Sequence, residues 1–220
     1  MPSKARTAFD KSAQDVERLL EIHGDVGGDA QGRRFGLEVL NKSAIVLITA
    51  VWEAYCEDIA AEALEHLVTN VPAASQLPKE LKKRIAADIK HDSNELAMWD
   101  LADAGWQARA LARLASLTAE RNRRLNTPKT DQIDGLFEVG IGLPAVSSSW
   151  QWKKMSAAKA KAKLDKYVDL RGAIAHRGAA ASSVKKAQVT DYFRHVKRLV
   201  GKTGGRVNAH VKSATGKSLW

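Results

Sequence analysis

The chain has 220 residues, of which 45% are hydrophobic, enough for a substantial core that needs no disulfide or metal to hold it. Its formal charge of +10 makes attraction to a polyanion such as nucleic acid plausible, with a merely solvated basic surface as the equal alternative. A single cysteine, Cys56, excludes an internal disulfide framework and a cysteine-rich zinc site, and the polar start Met1-Pro2-Ser3-Lys4-Ala5-Arg6 shows no secretory signal, so a cytoplasmic location is expected.

From Thr7 to His23 the residues Phe9, Ala13, Val16, Leu19 and Leu20 recur at helical spacing, and the pattern stops at Gly24. Gly24 to Gly32 holds four glycines without the Gly-Lys-Ser/Thr of a phosphate loop, and reads as a linker. A second helix is predicted from Arg33 to Thr69, ended by Asn70 and Pro72, and it is apolar on nearly every side around Ala44 to Trp52. That apolar run is far short of the roughly 20 residues of a membrane span and runs straight into Glu53, so it is core and no membrane association is expected. Pro78 opens a short helix through Lys90 with Leu81, Ile85 and Ile89 inward.

Asp92 and Ser93 are candidate caps for a helix carrying Leu96, Trp99, Leu101 and Trp106, with both tryptophans expected in the core and a break near Gly105. Arg121 to Pro128 reads as a basic helix end and a turn, followed by a helix from Asp131 to Val139. Gly140 to Trp150 reads as a packed irregular loop anchored by Trp150 and Trp152. A helix from Lys153 to Arg177 is stopped by Gly178, and a last helix from Ser182 or Ser183 keeps its apolar register through Gly204-Gly205. No alternating strand runs and no repeat appear, so the expected class is all-α: one helical bundle over residues 1–220 with a long central and a long C-terminal helix. Within it, residues 1–32 form the N-terminal helix and glycine-rich loop, and residues 213–220 a frayed tail.

The helix ending at Leu170-Arg171-Gly172-Ala173-Ile174-Ala175-His176-Arg177 pairs an arginine with a histidine five residues on. With 15 arginines and 6 histidines, roughly 0.4 such pairs arise by chance, and Arg18 with His23 is a second one, so surroundings must decide. Histidine moves protons near neutral pH, and arginine offers a fixed fork of donors to a phosphate gaining charge in a transition state. In RNA the 2'-hydroxyl is a built-in nucleophile, so base, acid and charge stabilisation suffice for cleavage. The six histidines show no His-x3-His pair and read as surface residues; no metal and no cofactor is expected. Five residues subtend about 140° on a helix, so Arg171 and His176 leave one stripe and would converge best between two copies of the chain. Glu53, a carboxylate on a largely buried helix, either orients Arg171 or His176 or is a helix-surface glutamate.

The chain resembles the HEPN superfamily, and within it the RiboL-PSP-HEPN and MAE-type branches. The resemblance rests on Val51-Trp52-Glu53-Ala54-Tyr55, on Asn126-Thr127-Pro128 with Ile133-Asp134-Gly135-Leu136-Phe137, and on Leu164 to Gly178. It implies an all-helical RNA-cutting domain in which Arg171 and His176 form the Arg-x4-His pair at a homodimer interface, leaving a 2',3'-cyclic phosphate without metal. It also implies a toxin or phage-defence setting, with an antitoxin or defence-system partner. Gly172, where the family often has a polar residue, and Arg177 complete the supporting group. The other expectations are a non-catalytic module that binds RNA or a partner protein, and a structural bundle whose Arg171 caps a helix or pairs with a carboxylate.

Overall fold

The computed structural model describes residues 2–27, 36–112, 127–177 and 183–220. Seven helices account for these segments, and no strand forms among the described residues. They are α1 (Lys4–Gly27), α2 (Glu38–Asn70), α3 (Lys79–Lys90), α4 (105–112), α5 (Thr130–Ile141), α6 (Ala157–Arg177) and α7 (Lys186–Thr215). Short 3₁₀ turns lie at Ala74–Gln76, Ala97–Leu101 and Val146–Ser149.

The apolar run that looked surrounded is surrounded. At 33 residues α2 is about 50 Å long, and α1, α5, α6 and α7 all pack against it. Ile45, Ile48, Trp52, Cys56, Ile59, Leu64 and Leu67 are fully enclosed. Burial drives the Cys56 thiol pKa well up, so this cysteine is an inert core residue. α2 and α7 run parallel in nearly constant register: Asn41 Nδ2 donates to the Val184 carbonyl (2.9 Å) just before α7, Thr49 meets Tyr192, and Tyr55 donates to the Val200 carbonyl (3.1 Å). The continuous register through Gly204-Gly205 holds, and at Gly204 there is a packing reason. A Cβ there would lie 2.6 Å from the Tyr55 hydroxyl, so glycine lets the two helices approach.

Neighbouring helices close each other's ends. Glu62 of α2 accepts from the backbone N–H groups of Lys4 (3.1 Å) and Ala5 (3.0 Å), placing a carboxylate on the positive end of α1. Asp165 of α6 does the same for α5, accepting from Thr130 N (2.8 Å) and its hydroxyl (3.0 Å). Gly142 ends α5 at φ 69° and lies so close to α3 that a Cβ would sit 2.8 Å from Leu81 N. The loop beyond is packed as expected: Asp134 accepts from Ser147 N at 2.8 Å, and the enclosed Trp150 donates to Thr203 Oγ1 at 2.9 Å.

Several expectations shift. α1 continues past Gly24 to Gly27, and α2 is described from Glu38. The remainder of the glycine-rich linker, most of the basic helix end before Pro128, and the stop at Gly178 lie outside the described residues. In place of a helix capped by Asp92 or Ser93, turns capped by Asp92 and Asn94 lead into a 3₁₀ segment. Trp99 there is 75% exposed, not core, because that segment turns outward; Trp106 on α4 is buried. Residues 213–220, expected to fray, fold back: Gly216 caps α7 at φ 73°, Leu219 N donates to Asn208 (2.7 Å) and Lys217 to Asn70 (3.1 Å). Among the described residues no helix is long and apolar enough to cross a membrane.

Candidate active site at the end of α6

α6 is fixed on two sides, and these define where its last turns point. On one side it runs antiparallel to α7. The Ala160 carbonyl meets His195 Nε2 at 3.0 Å, Lys163 donates to Asp191 at 2.7 Å, and the Tyr167 hydroxyl lies 2.9 Å from Asp191 Oδ2 and 3.1 Å from the Gln188 carbonyl. On the other side Asp165 caps α5 and Asp169 pairs with Lys129 at 2.6 Å. The antiparallel register brings the end of α6 to the beginning of α7.

Arg171 stands one turn beyond Tyr167 on the face that meets α7. It is half-buried, and its positive charge is felt at the buried phenol of Tyr192. Burial pushes the Tyr192 phenol pKa up, while the Arg171 charge pulls it down. The Tyr192 ring stacks on Tyr167 with centroids 4.3 Å apart and planes 13° apart. Thr49 Oγ1 gives its only proton to the Ile45 carbonyl (2.9 Å), so the proton in the 3.0 Å Thr49–Tyr192 contact is the tyrosine's. That leaves the phenol oxygen's lone pairs for the positive charge beside it.

His176 is exposed. In helical register it continues the stripe of Asp165, Asp169 and Gly172, roughly 140° from Arg171. The two residues therefore share the last turns of α6 but look out on different faces, one inward and one to solvent. Gly172, one turn before His176, is half-buried, and an added Cβ there would meet nothing within 4 Å. Arg177 is the last described residue of α6. Glu53 is half-buried on α2, one turn past Thr49 and away from the α6 end that carries His176. By contrast, Arg18 is exposed in an i,i+3 pair with Glu21 at 3.0 Å.

Reading single histidines as surface residues fails for His195, which is 3% exposed. Burial holds its pKa down at about 4, against the bond to the Ala160 carbonyl, and it lies beside Trp152 with centroids 5.5 Å apart. Spacing along the chain does not single out Tyr167, Tyr192 or Asp191. Burial acts to raise the Asp191 pKa, but the bonds from Lys163 and Tyr167 hold it below the usual carboxylate range. The available signal was a tyrosine at each of two facing core positions, together with a threonine inside the most apolar run of α2. Among the described residues no group of three or more His, Cys, Asp or Glu side chains gathers as a metal would require.

The bundle is all-helical among the described residues and built around the buried α2, with Arg171 and His176 on the last turns of the adjoining α6. The chain belongs to the RiboL-PSP-HEPN family, whose profile matches residues 11–206, from α1 into α7 and across both Arg171 and His176. No curated protein and no solved structure gives a significant match. HEPN domains are often ribonucleases and often bind RNA and act as dimers.

Proposed function

We propose that the protein is a metal-independent endoribonuclease of HEPN type, acting as a toxin or phage-defence component, with Arg171 and His176 forming its catalytic pair. The observation that carries this reading is the placement of the two residues on the closing turns of α6: Arg171 half-buried beside Tyr192, His176 exposed about 140° away. One copy offers a single exposed histidine here, and two-fold pairing of α6 ends would bring a second. One His176 then takes the proton from an RNA 2'-hydroxyl, whose oxygen attacks the adjacent phosphorus. The P–O5' bond breaks, the partner's His176 gives its proton to the leaving 5'-oxygen, and a 2',3'-cyclic phosphate remains. Arg171 stabilises the charge on the non-bridging oxygens, held in place by Tyr192 and, from α2, by Glu53.

The test is cleavage of RNA in EDTA by the purified chain, with His176→Ala and Arg171→Ala compared at equal helix content. Both variants are expected to lose activity by at least about 100-fold, and excess His176→Ala added to the unchanged chain should depress its activity, because a mixed pair holds only one His176. EDTA-resistant cleavage unchanged in both variants would refute the site. Salt-sensitive RNA binding without cleavage between pH 6 and 9 would establish the non-catalytic alternative.

A further inference from the structure

α7 carries seven basic residues and one acidic residue, a net of six of the chain's ten positive charges. The acid, Asp191, is taken by Lys163. Of the cations, Lys197 is taken by Glu17 of α1 at 2.6 Å. Four of the other six are not scattered. Arg194, Arg198, Lys202 and Arg206 follow one another at i,i+4 steps, all exposed, as a ridge with a charge about every 6 Å over about 18 Å. Like charges at this spacing destabilise a helix. Among the described residues none of the four forms an ion pair that would offset the repulsion.

Beside this ridge lie Gly201, Gly205 and Ala209, also exposed. A Cβ added at Gly201 or Gly205 would meet nothing within 4 Å, in contrast to Gly204, where the fold itself demands glycine. Two interior helix glycines thus lower helix stability with no packing return. What they provide is a smooth strip on which a chain can lie against the helix backbone while the ridge of cations reaches over it.

We infer that this face of α7 is a track for the phosphodiester backbone of RNA, with Arg194, Arg198, Lys202 and Arg206 gripping phosphates and Gly201 and Gly205 allowing close approach. A second copy of the chain does not suit the face, because a two-fold contact would set the cation ridge against itself. A regularly charged polyanion does, since each neutralised phosphate releases counterions and relieves the repulsion along the ridge. The track begins at Arg194, level with the first turn of α6, and a strand continued from it towards the start of α7 runs in the direction of Arg171 and His176. Naming RNA as the polyanion rests on the ribonuclease reading; the track itself makes no use of catalysis.

The experiment titrates a fluorescein-labelled single-stranded RNA with the full chain carrying His176→Ala, so that the RNA stays intact, over a series of salt concentrations. Adding R194Q, R198Q, K202Q and R206Q together is expected to lower the slope of log affinity against log salt by about 3, at roughly 0.7 per phosphate contact. Control substitutions K82Q, K83Q and R84Q on α3 should leave the slope unchanged. G201A with G205A should raise the melting temperature while weakening RNA binding, a combination that a structural role alone does not produce. Unchanged RNA binding in the four-fold variant, or an equal loss in the α3 control, overturns the track. Track-dependent binding by a chain that never cleaves RNA would refute the nuclease reading and leave the track standing.

Discussion

The Tyr192 hydroxyl donates across 3.0 Å to Thr49 Oγ1, tying α7 to α2 at the point where the charge of Arg171 on α6 reaches the same phenol. α2 and α7 thus meet at one oxygen atom on which the charge of α6 acts. Removing that oxygen with Tyr192→Phe keeps the stacked ring and loses one buried hydrogen bond, an expected cost of about 1 kcal/mol in urea unfolding. If the phenol positions Arg171, RNA cleavage should fall mainly in kcat, with KM little changed, because the arginine's contribution is to the charge that develops in the transition state. An equal activity in Tyr192→Phe would reduce Tyr192 to packing.

Gly204 and Tyr55 make a second such contact. Gly204→Ala puts a methyl 2.6 Å from the Tyr55 hydroxyl, itself bonded to the Val200 carbonyl, and should destabilise by about 1–3 kcal/mol. Tyr55→Phe removes the obstructing oxygen, so the double variant should be more stable than the sum of the single losses allows. Additive losses in thermal or urea unfolding would place the strain elsewhere.

At Gly172 the expected sign is reversed. The position is helical and open, so Gly172→Ala should stabilise by up to about 1 kcal/mol. Gly172→Asn adds a polar side chain one turn before His176 on the same stripe, and cleavage is expected to rise as the histidine gains a neighbour that fixes its orientation. A rate below that of the unchanged chain would mean that the open space at Gly172 is itself needed by the substrate.

His195 makes stability depend on pH. Its native pKa, held down at about 4 by burial, lies below the usual 6.5, so the unfolded chain binds the proton more readily. Its contribution is fully present above about pH 6.5 and is lost as pH falls towards 4, on the order of 3 kcal/mol in all. Burial also lowers the His210 pKa, adding loss in the same direction. Asp191, held below its ordinary range, keeps its contribution until more acid conditions. Urea midpoints at pH 7 and pH 5 should differ less in His195→Gln than in the unchanged chain; an equal difference in the two would remove His195 as the cause.

Much of the helical framework was legible because helix boundaries are set locally. Pro72 and Pro78 bracket the break between α2 and α3, and the periodic apolar residues of α2 and α7 needed only their own spacing to be read. Trp99 was misplaced because a tryptophan's burial depends on which way its segment turns, and Asp92 and Asn94 turn this one outward with side-chain caps. The Arg171–His176 pair was visible as a motif, but Thr49 and Tyr192 are 143 residues apart, and no local pattern relates them.

The sequence alone determined the all-helical class, the buried character of α2, the continuity of α7 through its glycines, and the candidate pair at the end of α6, because each follows from residue type at short spacing. Only the tertiary structure decided that Arg171 turns inward to Tyr192 while His176 faces solvent, and that His195 is buried. It alone separated the glycine the fold requires, Gly204, from the exposed Gly201 and Gly205. The physical reason is common to all of these. A helix fixes the angle between its own side chains, but which angle meets a neighbour is set by the parallel packing of α7 on α2 and the antiparallel packing of α6 on α7.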